Sequence, residues 1–153
     1  MKKLLTFFCL ILLSPHSYSQ DVFTGPFLER DGITYHQDTN ELVTGIVESF
    51  YENGQLSSRT NYKDGKKEGF YKYFYKNGEL KAKGNYKSGK ADGLWESFYE
   101  NGQLRSGGRF IDGKRHGQWN SFDEDGTSRR AKRYKYGEVD DTLEKILERR
   151  SVD

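Results

Sequence analysis

Cysteine is all but missing from this chain of 153 residues, and the only one, Cys9, lies in an apolar stretch near its start. Once that stretch is removed, as argued below, neither disulfides nor thiol catalysis remain available. Net charge of one sign is missing as well. Residues 1–20 hold Lys2, Lys3 and no acid; without them Lys+Arg falls from 25 to 23, against Asp+Glu 23. A neutral chain has no overall field to recruit nucleic acid or an anionic membrane. Aliphatic residues are scarce too: beyond residue 20 there are 17 Leu, Ile and Val against 20 Phe, Tyr and Trp. An ordinary core is led by aliphatics. This balance, with 17 glycines and 2 prolines, points instead to aromatic strands broken by glycine turns. The length suggests one domain.

Constellations for catalysis are also missing. His36 and His116 are far apart, beside turns, and neither has a His or Cys at metal-ligand spacing. The acids Glu52, Glu100 and Glu124 recur beside turns, where they hydrate the chain rather than form a glycosidase pair. Ser49, Ser97 and Ser121 recur in phase without a nucleophile elbow, and Gly107-Gly108 does not open a phosphate loop. Catalysis needs one singular arrangement, whereas these residues repeat. The expectation is a non-enzyme without metal or cofactor.

The first twenty residues read as a secretory signal peptide. Met1-Lys2-Lys3 is a short positive region, Leu4 to Leu13 is apolar, and Ser17-Tyr18-Ser19 sets small residues around a cut near Ser19 or Gln20. Ten apolar residues span about 15 Å as a helix, half of a bilayer core of roughly 30 Å, so cleavage is expected rather than anchoring. The mature chain is then extracytoplasmic, periplasmic or secreted.

What the remainder does contain is a 24-residue repeat. Gly45–Leu56 (GIVESFYENGQL) returns as Gly69–Leu80 (GFYKYFYKNGEL), as Gly93–Leu104 (GLWESFYENGQL), and more weakly as Gly117–Ser128 (GQWNSFDEDGTS). Asn53-Gly54, Asn77-Gly78, Asn101-Gly102 and Asp125-Gly126 have the composition of two-residue type I′ turns. Asp64-Gly65, Ser88-Gly89, Asp112-Gly113 and, less typically, Tyr136-Gly137 provide another set half a repeat later. Each copy is therefore one antiparallel hairpin, and successive copies continue an all-β meander that grows by about 10 Å per copy. The expected layout is a signal peptide over 1–20, a degenerate hairpin cap over 21–44, four repeats over 45–140, and a short helix and tail over 141–153.

Two-residue turns set a register. Tyr73 faces Ala82, Tyr71 faces Gly84 and Gly69 faces Tyr86; in the next copy Ser97 faces Ser106, Trp95 faces Gly108 and Gly93 faces Phe110. Tyr75 and Tyr99 would face Leu80 and Leu104. Across the Ser88-Gly89 turn, Gly84 would face Gly93, and Ala82 would face Trp95. Large residues thus meet small ones on one packed face. The other face would pair Phe50 with Ser57, Phe74 with Lys81, Phe98 with Arg105 and Phe122 with Arg129. Beside them Ile46, Phe70 and Leu94 would face Asn61, Asn85 and Arg109. Two readings of this face stand open. Lys and Arg stems lie over the rings and stabilise them by cation–π contact, or the stripe of Phe50, Phe70, Phe74, Phe98 and Phe122, with Lys81 and Arg105, is a groove for a partner.

At the ends, Arg30 to Tyr35 reads as a turn and strand, and Asn40 to Gly45 as its return. Arg129, Arg130, Lys132, Arg133 and Lys135 read as a last strand whose positive edge resists aggregation, with an anion or membrane patch as the alternative. Asp141 is the N-cap of a short helix whose apolar face is Leu143, Ile146 and Leu147, placed to cover the sheet edge.

The stretch from Tyr75 to Trp95, with its Asn77-Gly78, Leu80, Tyr86-Lys87, Gly89-Lys90 and Gly93-Leu94-Trp95, resembles the MORN-repeat variant family; the likeness extends over roughly residues 28–137. Gly32, Tyr35, Thr44 and Gly45 make the entry similar to that of the subgroup named YwqK-family antitoxins. The resemblance implies an interaction scaffold whose partner is another protein, in one form a periplasmic immunity-type protein. An envelope glycan or lipid surface is the alternative partner. Asp123 and Ser128 depart from the repeat, which makes the fourth copy a terminal one.

Overall fold

A computed structural model describes residues 21–142. The leader over 1–20, and all but the first two residues of the helix expected over 141–153, lie outside the described residues. The strands are β1 (Val22–Phe23), β2 (Phe27–Arg30), β3 (Ile33–His36), β4 (Gly45–Phe50), β5 (Leu56–Lys63), β6 (Lys66–Phe74), β7 (Leu80–Lys87), β8 (Lys90–Phe98), β9 (Leu104–Ile111), β10 (Lys114–Ser121), β11 (Lys132–Lys135) and β12 (Glu138–Val139). From β4 to β12 every strand pairs with the next in sequence, so the repeats form the expected all-β meander. β2 and β3 make a separate hairpin, while β1 joins the large sheet by parallel pairing with β4. That parallel pair was not foreseen.

The two turns of each repeat are of different kinds. Asp64-Gly65, Ser88-Gly89, Asp112-Gly113 and Tyr136-Gly137 have both residues at positive φ, as a two-residue type I′ hairpin demands. The Asn-Gly turns do not, which corrects the expectation. Gly54, Gly78 and Gly102 lie at φ +81°, +89° and +82°, but Asn53, Asn77 and Asn101 do not have positive φ. Tyr75 accepts from Gly78 N–H and donates its own N–H to the Glu79 carbonyl, and Tyr51 and Tyr99 repeat the pattern. This is a three-residue loop: a type I turn closed by a left-handed glycine. The asparagine serves through its side chain. Oδ1 of Asn53, Asn77 and Asn101 accepts from the backbone N–H two residues on, at 3.0–3.2 Å.

Register is as expected in mid-strand and altered near the turns. Gly69–Tyr86, Tyr71–Gly84 and Tyr73–Ala82 are opposed, as are Gly93–Phe110, Trp95–Gly108 and Ser97–Ser106. The longer loop then shifts the ends, so Phe50, Phe74 and Phe98 oppose Leu56, Leu80 and Leu104 instead of Ser57, Lys81 and Arg105. Phe122 likewise bridges Ser128, not Arg129. Tyr75 and Tyr99 accordingly lie opposite Glu79 and Gln103 and do not face Leu80 and Leu104.

A second irregularity recurs at the start of the second, third and fourth copies. Between the pairs Asn85–Asp92 and Lys83–Glu96, the three residues Gly93, Leu94 and Trp95 span the place of Gly84 alone. Gly93 at φ +77° makes this bulge, and Gly69 and Gly117 repeat it at +83° and +71°. Ala82 therefore opposes Ser97, not Trp95, and Gly84 does not oppose Gly93. Two added residues preserve the alternation, so the faces are unchanged.

A single layer leaves little to bury. Among the described residues the buried apolar side chains are Val43, Ile46, Val47 and Trp119, of which only Val43 is fully sequestered. Three of the four lie at the first end of the sheet, Val43 bonded to Thr34 of β3 and Ile46 and Val47 in β4 beside β1. There Thr34 N–H donates to the Gly65 carbonyl and Gly65 N–H to that of Val43. The same N–H donation recurs from Gly89, Gly113 and Gly137 to Lys67, Ala91 and Arg115, so each type I′ turn rests on the preceding copy. At the other end β12, not β11, is the sheet edge, which corrects the reading of Lys132–Lys135 as the last strand.

Candidate interaction surface

The packed face is a ladder of rings. Tyr71 stacks on Trp95 at 5.5 Å between centroids; Tyr86 meets Trp95 edge-on at 5.1 Å, Trp95 meets Phe110 at 5.8 Å, and Phe110 meets Trp119 at 5.1 Å. The Trp95 ring lies so close over Gly84 that a Cβ built there would be 2.2 Å from it, and Trp119 covers Gly108 in the same way at 2.4 Å. Both indoles are also hydrogen-bonded, Trp95 Nε1 to the Asn85 carbonyl at 3.0 Å and Trp119 Nε1 to that of Arg109 at 3.2 Å. Burial among these rings, with further tyrosines nearby, pushes the Tyr71 phenol up to about 12.

Copies are also tied at the Asn-Gly edge. The hydroxyls of Tyr51, Tyr75 and Tyr99 donate to the carbonyls of Phe74, Phe98 and Phe122, each 23 residues on, at 2.6–2.8 Å. Asn53 and Asn101 donate Nδ2 to the Lys76 and Glu124 carbonyls in the following turn. Asp123 stands where the next tyrosine would be and holds Arg129 instead, ending the series.

The opposite face is built from three rows. The outer row holds Phe50, Phe74 and Phe98 with their opposed leucines Leu56, Leu80 and Leu104. A polar row follows, in which Glu48 pairs with Arg59 at 3.1 Å and Glu96 with Lys83 at 2.9 Å. The inner row sets Ile46, Phe70 and Leu94 opposite Asn61, Asn85 and Arg109, as expected. Phe50 is 50% exposed and Leu94 56%.

Cations mostly stay off these phenylalanines. Lys83, not Arg105, lies over Phe98, at 5.5 Å. Lys81 lies over Tyr73 and Tyr75 at 5.2 and 5.0 Å, on the packed face, because the bulge turns it away from Phe74. None of Phe50, Phe70, Phe74, Phe98 and Phe122 meets another ring among the described residues. The leucines of the outer row escaped the sequence reading, since only the loop length brings them opposite the phenylalanines. No three His, Cys, Asp or Glu side chains gather as a metal site among the described residues.

The regular 24-residue hairpin with its Tyr, Asn-Gly and Gly-x-Trp positions has a counterpart among known repeats. Three stretches of this chain match the MORN repeat variant. They are residues 43–64, 67–88 and 91–110, and the fourth copy is not among them. The MORN repeat family is non-catalytic, and its repeats commonly serve as protein- or membrane-binding modules. No curated protein matches the chain. Among solved structures, a crystal structure of the GtfA/B complex bound to UDP and GlcNAc is similar at 10% identity and a TM-score of 0.28. The match covers 82% of this chain and 26% of that one, and a TM-score so low carries no argument.

Proposed function

We propose that this protein is an exported, non-catalytic scaffold that binds another protein along the Phe–Leu row of its MORN repeat variants. One observation supports the row over the packed face: apart from Phe98, which lies under Lys83, its rings are uncommitted among the described residues. Tyr71, Tyr86, Trp95 and Trp119 are spent on one another, on glycine backbones and on carbonyl oxygens. Among the described residues the phenylalanines have no ring neighbours; Phe50 is half exposed, and Phe74 and Phe98 are partly exposed. Contiguous exposed apolar surface usually marks an interaction site. The same comparison weighs against stacking of an envelope glycan, which would need free Trp and Tyr faces. The entry resembling YwqK-family antitoxins, together with the signal peptide, favours an immunity-type protein outside the inner membrane.

The test is a pair of double variants. Phe74→Ser with Phe98→Ser should melt close to the parent yet lose a partner crosslinked in the envelope fraction, with hot-spot losses of about 2 kcal/mol or more per aromatic. Tyr75→Ser with Trp95→Ser should lower the melting temperature instead. A phenylalanine pair that unfolds the sheet would make that row a packed surface and overturn the reading. Export is checked separately by intact mass, which should show a chain beginning near Gln20; a full-length cytosolic product would refute it.

A further inference from the structure

We propose that the occupant of the Phe–Leu row is an acidic-apolar segment of a bound protein, which seats one carboxylate on Lys72. The proposal rests on the reading of that row as a binding surface and adds what the partner presents there. Strand pairing sets Glu48, Arg59, Lys72, Lys83 and Glu96 side by side across β4 to β8. Acids stand at both ends of this row, with the cations between them. Arg59 and Lys83 pair with the end carboxylates, at 3.1 and 2.9 Å. Lys72 is exposed, and among the described residues it has no ion pair, hydrogen bond or ring partner.

Within the sheet this cation is a liability. Opposed side chains of an antiparallel pair have Cβ atoms about 4.5–5.5 Å apart, and like charges there are destabilising. Lys72 has such a neighbour on each side, Arg59 and Lys83, where an acid would attract both. Its surroundings suit a ligand instead. On the same face of β6, Phe70 stands two residues before it and Phe74 two residues after, so apolar surface flanks the charge. A segment that covers those rings strips water from Lys72, and a carboxylate is the group that then meets its charge. An anionic bilayer fits this face less well. It would press phosphates on Glu48 and Glu96 as well, about 10 Å to either side of Lys72, whereas a chain segment delivers a single acid. Copies recur about every 10 Å along the row. Seven residues of a helix cover about 10.5 Å and return to nearly the same side, so a helix can meet successive copies alike.

The probe is a helical peptide with leucine at every seventh position and one glutamate beside the central leucine, titrated into the full chain together with its glutamine and lysine versions. The glutamate peptide should bind tightest, and the lysine peptide at least about tenfold more weakly. Lys72→Glu should reverse that order. It should also raise the melting temperature, because the new acid lies between Arg59 and Lys83. Phe74→Ser should weaken all three peptides alike. Binding that needs Phe74 but ignores the charge of the peptide would overturn the seat on Lys72 and leave the row standing. So would an order of affinities that Lys72→Glu leaves unchanged, or a melting temperature that it lowers. Peptides that ignore Phe74→Ser, or that fail to bind at all, would overturn the row as well. Phosphatidylglycerol vesicles that bind through Lys72 where the peptides do not would replace the segment with a membrane and refute the proposal.

Discussion

Gly84 and Gly102 illustrate two different demands on one residue type. Gly102 lies at φ +82° with open space around it, so its constraint is conformational. Gly84 needs no positive φ; what it lacks is room, because the Trp95 ring occupies the position of a side chain. Gly84→Ala should therefore displace the indole, weaken its contacts with Tyr71 and Tyr86, and cost roughly 1–3 kcal/mol. Thermal melts with Trp95→Leu in the background check the mechanism: the alanine should then cost much less. An equal cost in both backgrounds would mean that the indole is not what excludes the Cβ. In the first copy the equivalent position is Thr60, which is buried and opposes Tyr71.

Within a hairpin the two turns should answer differently to glycine. Ser88 sits at φ +49°, where a side chain is strained, so Ser88→Gly should gain up to about 1 kcal/mol. Asn101 has no positive φ, and its side chain accepts from Gln103 N–H and donates to the Glu124 carbonyl. Asn101→Gly should lose both hydrogen bonds and about 1 kcal/mol or more. Equilibrium unfolding of the two variants separates the turn types, and equal gains would restore a type I′ turn at both. The Asn-Gly dipeptide occurs in both kinds of turn, which is why composition alone favoured the wrong one. The outcome has consequences for the surface, since the third loop residue is what sets leucines, not cations, opposite the phenylalanines.

At the scale of the molecule, each copy bonds mainly to its neighbours. Strand pairing is sequential from β4 to β12, and the side-chain ties reach 23 residues, one copy on. Stability in such an array is close to a sum of copies and interfaces. Removal of residues 69–92 joins Glu68 to Gly93 in phase and should leave a folded, shorter sheet with a lower melting temperature and a smaller denaturant dependence. A deletion variant that cannot fold would show that the array depends on contacts beyond neighbouring copies. The ends are not interchangeable with the middle. Among the described residues the stretch from Val43 to Val47 supplies the buried aliphatic side chains, and Asp123 ends the tyrosine series.

Periodicity, glycine spacing and alternation determined the all-β meander, its hairpin unit and the mid-strand pairs such as Tyr71–Gly84 and Trp95–Gly108, because these depend only on local turn chemistry and a period of two. Tertiary structure alone decided the rest. A two-residue bulge at Gly69, Gly93 and Gly117 carries each large ring onto the preceding strand, and one extra loop residue exchanges Lys81 for Leu80 opposite Phe74. The parallel β1–β4 pair joins residues from separate strands that no repeat relates. Bulges and strand docking are chosen by what the chain meets after it has folded back, and that information is absent from any local window of the sequence.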